Sequence, residues 1–212
     1  MHNPAQRWQA ARLYVITPDQ PPDQVVGIAT AAARGGADIV QLRHKSLARG
    51  ELLQLARRVR TVTVAAGVLF VVNDHLDIAL LSEADGVHLG PDDLSIASAR
   101  RVAGIRLVIG ASASSPEAAR AAIAGGADYL GSGPAFATPI KTEKKVIGAQ
   151  GVAAIAAEVG PGVPVFAIGG IDESNVGQLI AEGLRRACVI RAVSSAPDPE
   201  QAVRRLRAML NG

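Results

Sequence analysis

The sequence predicts a single (β/α)8 TIM barrel over residues 1–212, and three observations carry the prediction. Short β-branched runs alternate with Ala-rich stretches of helical period along the whole chain, the pattern of parallel βα units rather than of hairpins or helix bundles. The runs number eight, enough to close a barrel. A short motif recurs between a helix and the following strand, at intervals of two βα units: Gly35-Gly36-Ala37-Asp38, Glu83-Ala84-Asp85-Gly86 and Gly125-Gly126-Ala127-Asp128.

Strands are expected at residues 13–17, 39–43, 69–73, 86–89, 107–111, 129–131, 163–168 and 187–191. The helical segments between and after them run over 23–33, 50–65, 76–81, 95–102, 116–124, 148–158, 173–181 and 199–210. Glycine in the repeated motif ends a helix in a left-handed conformation and turns the chain back. Asp38, Asp85 and Asp128 therefore stand at strand starts, on the face that serves stability rather than catalysis, and are excluded from the site. An open doubly wound sheet is the competing architecture. It fits less well, because strand 1 is followed by Pro18-Asp19-Gln20-Pro21-Pro22 instead of a Gly-rich phosphate turn.

With 212 residues, 49% of them hydrophobic, the chain suits one sizeable core, so one domain is expected. The one cysteine, Cys188, lies in an apolar stretch and is read as a core residue in a reducing compartment. The uncharged run 61–72 is too short to span a bilayer, and the polar start does not resemble a secretory signal, so a cytoplasmic protein is expected. The net charge of +3 lies largely in Arg pairs such as Arg57-Arg58 and Arg204-Arg205, which read as outer helix faces. Aromatics make up 3% of the chain and offer little surface for stacking bases, which argues against nucleic-acid binding. Nothing in the sequence specifies whether the chain forms a homo-oligomer.

Active sites of barrels are built at the C-terminal ends of the strands. After strand 2 comes Gln41-Leu42-Arg43-His44-Lys45, where a period of two puts Gln41, Arg43 and Lys45 on one side, toward the mouth. Asn73-Asp74 follows strand 3, His88-Leu89-Gly90-Pro91-Asp92-Asp93 closes strand 4, Ser112 closes strand 5, and Lys141 lies in the long loop after strand 6. Cations and carboxylates converging on one rim suit a polyanionic ligand accompanied by a hard cation. Mg2+ takes one or two carboxylates, here Asp74 and Asp93, and shares the remaining positions with phosphate oxygens. Arg43, Lys45 and Lys141 would neutralise the rest of a diphosphate. The competing reading makes the same residues structural salt bridges at the rim.

A second anion site is expected where Gly169-Gly170 follows strand 7 and Ile190-Arg191 ends strand 8, since loops there often hold a monophosphate on backbone N–H groups. The Gly/Pro-rich loop 131–141 is long enough to be a binding loop between the two sites. His88 is read as a packing or supporting hydrogen-bond residue and His44 as solvent-facing. No Ser-His-Asp or Cys-His arrangement stands out.

In combination, the segments QLRHK, VNDHLDIAL, ADGVHLGPDDL, GADYLGSGP and AIGGI resemble the thiamine-phosphate synthase family, from Leu13 to Pro199. The resemblance implies this same barrel and small phosphorylated substrates. The implied reaction joins 4-amino-5-hydroxymethyl-2-methylpyrimidine diphosphate to 4-methyl-5-(2-phosphonooxyethyl)thiazole, releasing pyrophosphate. It puts the pyrimidine diphosphate on Gln41, Leu42, Arg43, His44, Lys45, Asn73, Ser112 and Lys141, with Mg2+ on Asp74 and Asp93. Arg43, Lys45, Ser112 and Lys141 become the catalytic group. The thiazole phosphate falls to Thr138, Pro139, Ile140, Gly170, Ile190 and Arg191. In the implied mechanism pyrophosphate leaves first and the thiazole nitrogen attacks the resulting cation.

Three departures from the family pattern concern the thiazole half. Ile140 replaces a hydroxyl residue, Arg191 stands where a Ser is usual, and Gly183-Leu184-Arg185-Arg186 replaces Gly-Ala-Asp-Gly. Arg191 is expected to offset the hydroxyl lost at Ile140. A related thiazole tautomerase lacks the aspartate at the Asp74 position and carries a His in the region of Ser114, so both residues favour the synthase. An inactive paralogue that binds thiamine intermediates is a further alternative, against which the intact diphosphate set argues.

Overall fold

A computed structural model describes residues 4–138 and 145–212. Its eight strands are β1 (Leu13–Ile16), β2 (Ile39–Leu42), β3 (Leu69–Asn73), β4 (Gly86–Leu89), β5 (Val108–Ala113), β6 (Tyr129–Ser132), β7 (Val165–Ile168) and β8 (Ala187–Val189). All neighbours pair parallel, in sequence order, and β8 returns to β1, so the sheet closes. Around it run α2 (Pro22–Gly35), α3 (Arg49–Ala66), α4 (Leu76–Leu81), α5 (Ile96–Ala103), α6 (Pro116–Ala124), α7 (Gly148–Val159), α8 (Val176–Ala181) and α10 (Pro199–Asn211). Among the described residues no helix is long and apolar enough to cross a membrane.

The period-two geometry of a strand divides the buried residues into two cores. Tyr14, Ile39, Val71, Tyr129, Phe166 and Cys188 point into the barrel. Their strand neighbours, such as Val15, Val40, Phe70, Val72 and Leu130, pack outward against the helices. The interior is crowded by aromatic rings, and glycine makes the room: a Cβ at Gly110 would fall inside the Tyr129 ring, and one at Gly86 would meet Trp8 at 3.4 Å.

Two elements lie outside the predicted set. α1 (Pro4–Ala10) crosses the N-terminal end of the barrel and inserts Trp8, whose ring stacks on Tyr129 at 5.2 Å between centroids. Seven residues are too few to display a helical period, so the pattern could not mark it. α9 (Arg191–Ser194) begins where strand 8 was expected to continue; β8 stops at Val189, and Ile190 takes a φ of −121° and ψ of −80° that leaves the sheet.

The repeated aspartates do serve the N-terminal face. Asp38 Oδ2 accepts from the backbone N–H of Arg12 at 2.8 Å and of Leu13 at 2.9 Å and pairs with Arg207. Asp85 Oδ2 accepts from Phe70 N at 2.7 Å and pairs with Arg60, and Asp128 Oδ2 accepts from Ile109 N at 2.7 Å and pairs with Arg100. Each carboxylate thus satisfies an orphan donor at the start of the preceding odd-numbered strand. At β8 the corresponding place holds Arg186, which reaches Gln9 O of α1 at 2.8 Å; burial, then the nearby Arg12, lowers its pKa. Asp38→Ala is expected to cost about 1.5–3 kcal/mol in urea unfolding, the range for charge-assisted hydrogen bonds, while ligand affinity of the folded protein stays unchanged.

Candidate active site

The C-terminal ends of the strands surround a cavity of about 450 Å³. On one side stand Gln41 and Arg43 from β2 and its end, Asn73 from β3, His88 from β4 and Ser112 from β5. Opposite them stand Thr138, Gly170, Ile190 and Arg191.

Gln41 occupies an inward position on β2, is 2% exposed, and its Nε2 donates to the Tyr14 hydroxyl at 2.7 Å. Two residues further, Arg43 leaves the strand and its guanidinium lies 3.7 Å from the Asp19 carboxylate. The Lys45 backbone N–H donates to Asp19 Oδ1 at 2.9 Å, and its ammonium pairs with Asp74. Asp74 has a left-handed backbone, φ +63°, held by its own N–H to His88 O at 2.8 Å and by His75 N–H to Asn73 O at 2.7 Å. A non-glycine residue adopts this region at a cost of order 1 kcal/mol, which the β3–β4 pairing offsets here.

Asp93 Oδ2 accepts from the Gly90 N–H at 2.7 Å, and its carboxyl interacts electrostatically with that of Asp74. Burial opposes ionisation of both. At Asp74 the Lys45 ammonium, followed by the neighbouring Asp93 carboxyl, outweighs burial, and its pKa falls below the usual carboxylate range. At Asp93 burial and the neighbouring Asp74 charge outweigh the Gly90 N–H, and its pKa rises.

The opposite wall is made by two loops laid together. Ala135 N–H donates to Ile168 O at 2.8 Å and Phe136 N–H to Gly169 O at 2.9 Å. Gly169 and Gly170 take φ of +99° and +63°, and a Cβ on Gly169 would lie 2.5 Å from that of Pro134, so the contact requires glycine. Asn175 Nδ2 donates to Gly170 O at 2.8 Å and fixes the turn.

Residues 13–193 match the family model described as "Thiamine monophosphate synthase". The chain belongs to the thiamine monophosphate synthase family. It is 45% identical over 193 residues to a thiamine-phosphate synthase of Gloeobacter violaceus, covering 91% of this chain and 55% of that protein. A thiamine-phosphate synthase of Methanoregula boonei is 43% identical, covering 92% of this chain and 91% of the relative. A solved structure, the thiamine phosphate pyrophosphorylase from Pyrococcus furiosus, superimposes with a TM-score of 0.88 at 38% identity, covering 97% of this chain and 98% of that one. The chain spans little more than half the length of two of these relatives, 55% of the Gloeobacter violaceus protein and 57% of a thiamine-phosphate synthase of Thermosynechococcus vestitus.

Within this family barrel, the predicted site residues are brought together unequally. Gln41, Arg43, Asn73, Ser112, Thr138, Gly170, Ile190 and Arg191 share the cavity, whereas Lys45, Asp74 and Asp93 form a cluster that does not line it, next in sequence to the lining residue Asn73. Two expectations need correction. Leu42 points outward into the helix-facing core, 1% exposed, because it alternates with Gln41. His44 is buried rather than solvent-facing: its Nε2 contacts Gln20 O at 3.0 Å and its Nδ1 lies 2.9 Å from the Asp19 carboxylate, so neither residue reaches the cavity. Pro139, Ile140 and Lys141 lie outside the described residues.

Asp19 was missed, although it touches Arg43, His44 and Lys45 together. It follows strand 1, so the strand-end criterion applied to strands 2 to 6 would have found it. Tyr14 and Tyr129 were read only as strand residues. Aromatics are scarce in this chain, and their inward parity was the available signal.

Proposed function

We propose that the protein is a thiamine-phosphate synthase, a transferase that joins 4-amino-5-hydroxymethyl-2-methylpyrimidine diphosphate to 4-methyl-5-(2-phosphonooxyethyl)thiazole. The observation that carries this reading is one cavity lined by Gln41, Arg43, Asn73 and Ser112 on the β2–β5 side, with the Lys45–Asp74 pair next to Asn73 in the chain, and by a glycine turn on the β7–β8 side. Relatives named thiamine-phosphate synthase support it.

Magnesium is part of the proposal, and the donor chemistry of the carboxylate pair fits it. Asp74 and Asp93 are two hard oxygen donors side by side, with the pKa of Asp74 held below the usual carboxylate range. Two carboxylates, with the other positions left to phosphate and water, suit Mg2+ rather than an all-protein cage. When bound there, Mg2+ would neutralise charge on the diphosphate.

Arg43 and Lys45 hold the diphosphate oxygens and stabilise the negative charge that builds as the carbon–oxygen bond breaks and its electron pair leaves with pyrophosphate. Gln41, Asn73 and Ser112 orient the pyrimidine. The turn at Gly169-Gly170 and Arg191 hold the thiazole phosphate, so that the lone pair of the ring nitrogen forms the new carbon–nitrogen bond at the methylene carbon. No proton has to be removed for that bond, which explains a rim dominated by charge rather than by an acid–base pair. Lys141 is included as a further diphosphate cation.

The purified protein with Mg2+ and both substrates is expected to release pyrophosphate and thiamine phosphate in equal amounts. Folded protein that yields neither would overturn the reading and favour an intermediate-binding role.

A further inference from the structure

Five side chains from five strands form one hydrogen-bonded chain across the barrel interior. Gln41 Nε2 donates to Tyr14 Oη at 2.7 Å; Tyr14 Oη and Tyr129 Oη lie 3.0 Å apart; Tyr129 Oη lies 3.2 Å from His88 Nδ1; and His88 Nε2 lies 3.0 Å from Ser112 Oγ. Both tyrosines are 1% exposed and lie beneath the cavity, whereas Gln41 and Ser112, the ends of the chain, line it.

Each phenol has one hydrogen to give, so the chain has a direction. Burial raises the pKa of both phenols, which keeps those hydrogens in place. Because Gln41 gives an N–H to Tyr14, the Tyr14 hydrogen passes to Tyr129 and the Tyr129 hydrogen to His88 Nδ1. The imidazole proton then stands on Nε2 and is donated to Ser112 Oγ. The opposite tautomer would send a hydrogen from His88 to Tyr129 and from Tyr129 to Tyr14; with Gln41 Nε2 facing Tyr14 as it does here, the Tyr14 hydrogen would then be buried without an acceptor. That loss costs about 1–3 kcal/mol.

The chain is also mechanically supported. The Tyr129 ring stacks on Trp8 at 5.2 Å and meets Phe166 edge-on at 5.9 Å. His88 Cε1 lies against Gly131, where an added Cβ would approach to 3.1 Å.

We propose that Tyr14, Tyr129 and His88 are positioning residues that set the hydrogen-bond polarity of the two cavity-facing ends. Ser112, already accepting from His88, turns its own hydrogen to the ligand as a donor. Gln41, its nitrogen engaged below, offers its carbonyl oxygen as an acceptor. One donor and one acceptor held in fixed relation select a ring that carries an amino group and a ring nitrogen, an aminopyrimidine edge. This specificity role rests on the synthase reading, whereas the tautomer it requires does not.

The test uses Tyr129→Phe, which keeps the stacked ring and removes only the hydroxyl, with Tyr14→Phe as a second variant. Long-range 1H–15N spectra of ligand-free protein read the His88 tautomer, with His88→Gln identifying its signals among the four histidines. Wild type and Tyr14→Phe are expected to show the Nε2–H form, and Tyr129→Phe a mixture of both. In kinetics, each Phe variant is expected to raise KM for the pyrimidine diphosphate about ten-fold, with KM for the thiazole phosphate within about two-fold of wild type. An Nδ1–H form in wild type, or a tautomer unchanged by Tyr129→Phe, overturns the proposal. So does an equal rise in both KM values with a lowered thermal midpoint, which is the mark of a purely structural role. Wild type that makes no thiamine phosphate would sink the synthase reading while the tautomer result still decides the direction of the chain.

Discussion

Asp74→Ala and Asp93→Ala are each expected to lower kcat by about 10²–10³-fold or more, with the fold retained. Asp74 is held ionised against its own burial by Lys45 and Asp93, and its left-handed backbone presents it beside Asp93. Removing either aspartate leaves one carboxylate of the two proposed to hold the metal, and removing Asp74 also frees the Lys45 ammonium from its partner. Steady-state rates at saturating Mg2+, with circular dichroism to confirm folding, make the measurement. Wild-type rates in both variants would refute the metal assignment. A loss in Asp74→Ala alone would instead point to the Lys45 pair, the structural salt bridge, as the residue's main role.

Gly170→Ala is expected to lower kcat/KM for the thiazole phosphate by about ten-fold or more while KM for the pyrimidine diphosphate changes by less than about two-fold. At φ +63° a methyl group strains the backbone by roughly 1–2 kcal/mol, and here the added carbon would also run into the Ala137 carbonyl oxygen and lie 3.0 Å from Phe136 Cβ. Both neighbours belong to the loop that lies along the β7 turn, so the loops must separate where the second phosphate is proposed to sit. Initial rates with each substrate varied in turn separate the two halves of the cavity. An equal loss for both substrates would mean that the glycine turn supports the whole rim rather than one phosphate.

Much of this architecture is legible in the sequence. Alternating runs and the spaced Asp38, Asp85 and Asp128 are local patterns, and a closed parallel barrel with its charges sorted between two faces follows from them. The same period-two logic put Gln41 and Arg43 at the mouth. Applied without exception, it would also have sent Leu42 outward, where the structure has it. His44 was misread for a different reason: its burial depends on Asp19 and Gln20 folding back from the loop after β1, a contact between segments that are 24 and 25 positions apart from it.

What the sequence determined by itself was the order of the elements, the family, and the residue types gathered at the strand ends, because each depends on periodicity, spacing or motif. Tertiary structure decided which of those residues meet. It set Lys45 against Asp74, folded α1 under the barrel so that Trp8 supports Tyr129, and linked Gln41 to Ser112 through two tyrosines and a histidine. Hydrogen-bond direction across a barrel depends on partners from five strands at once, and no run of neighbouring residues contains that information.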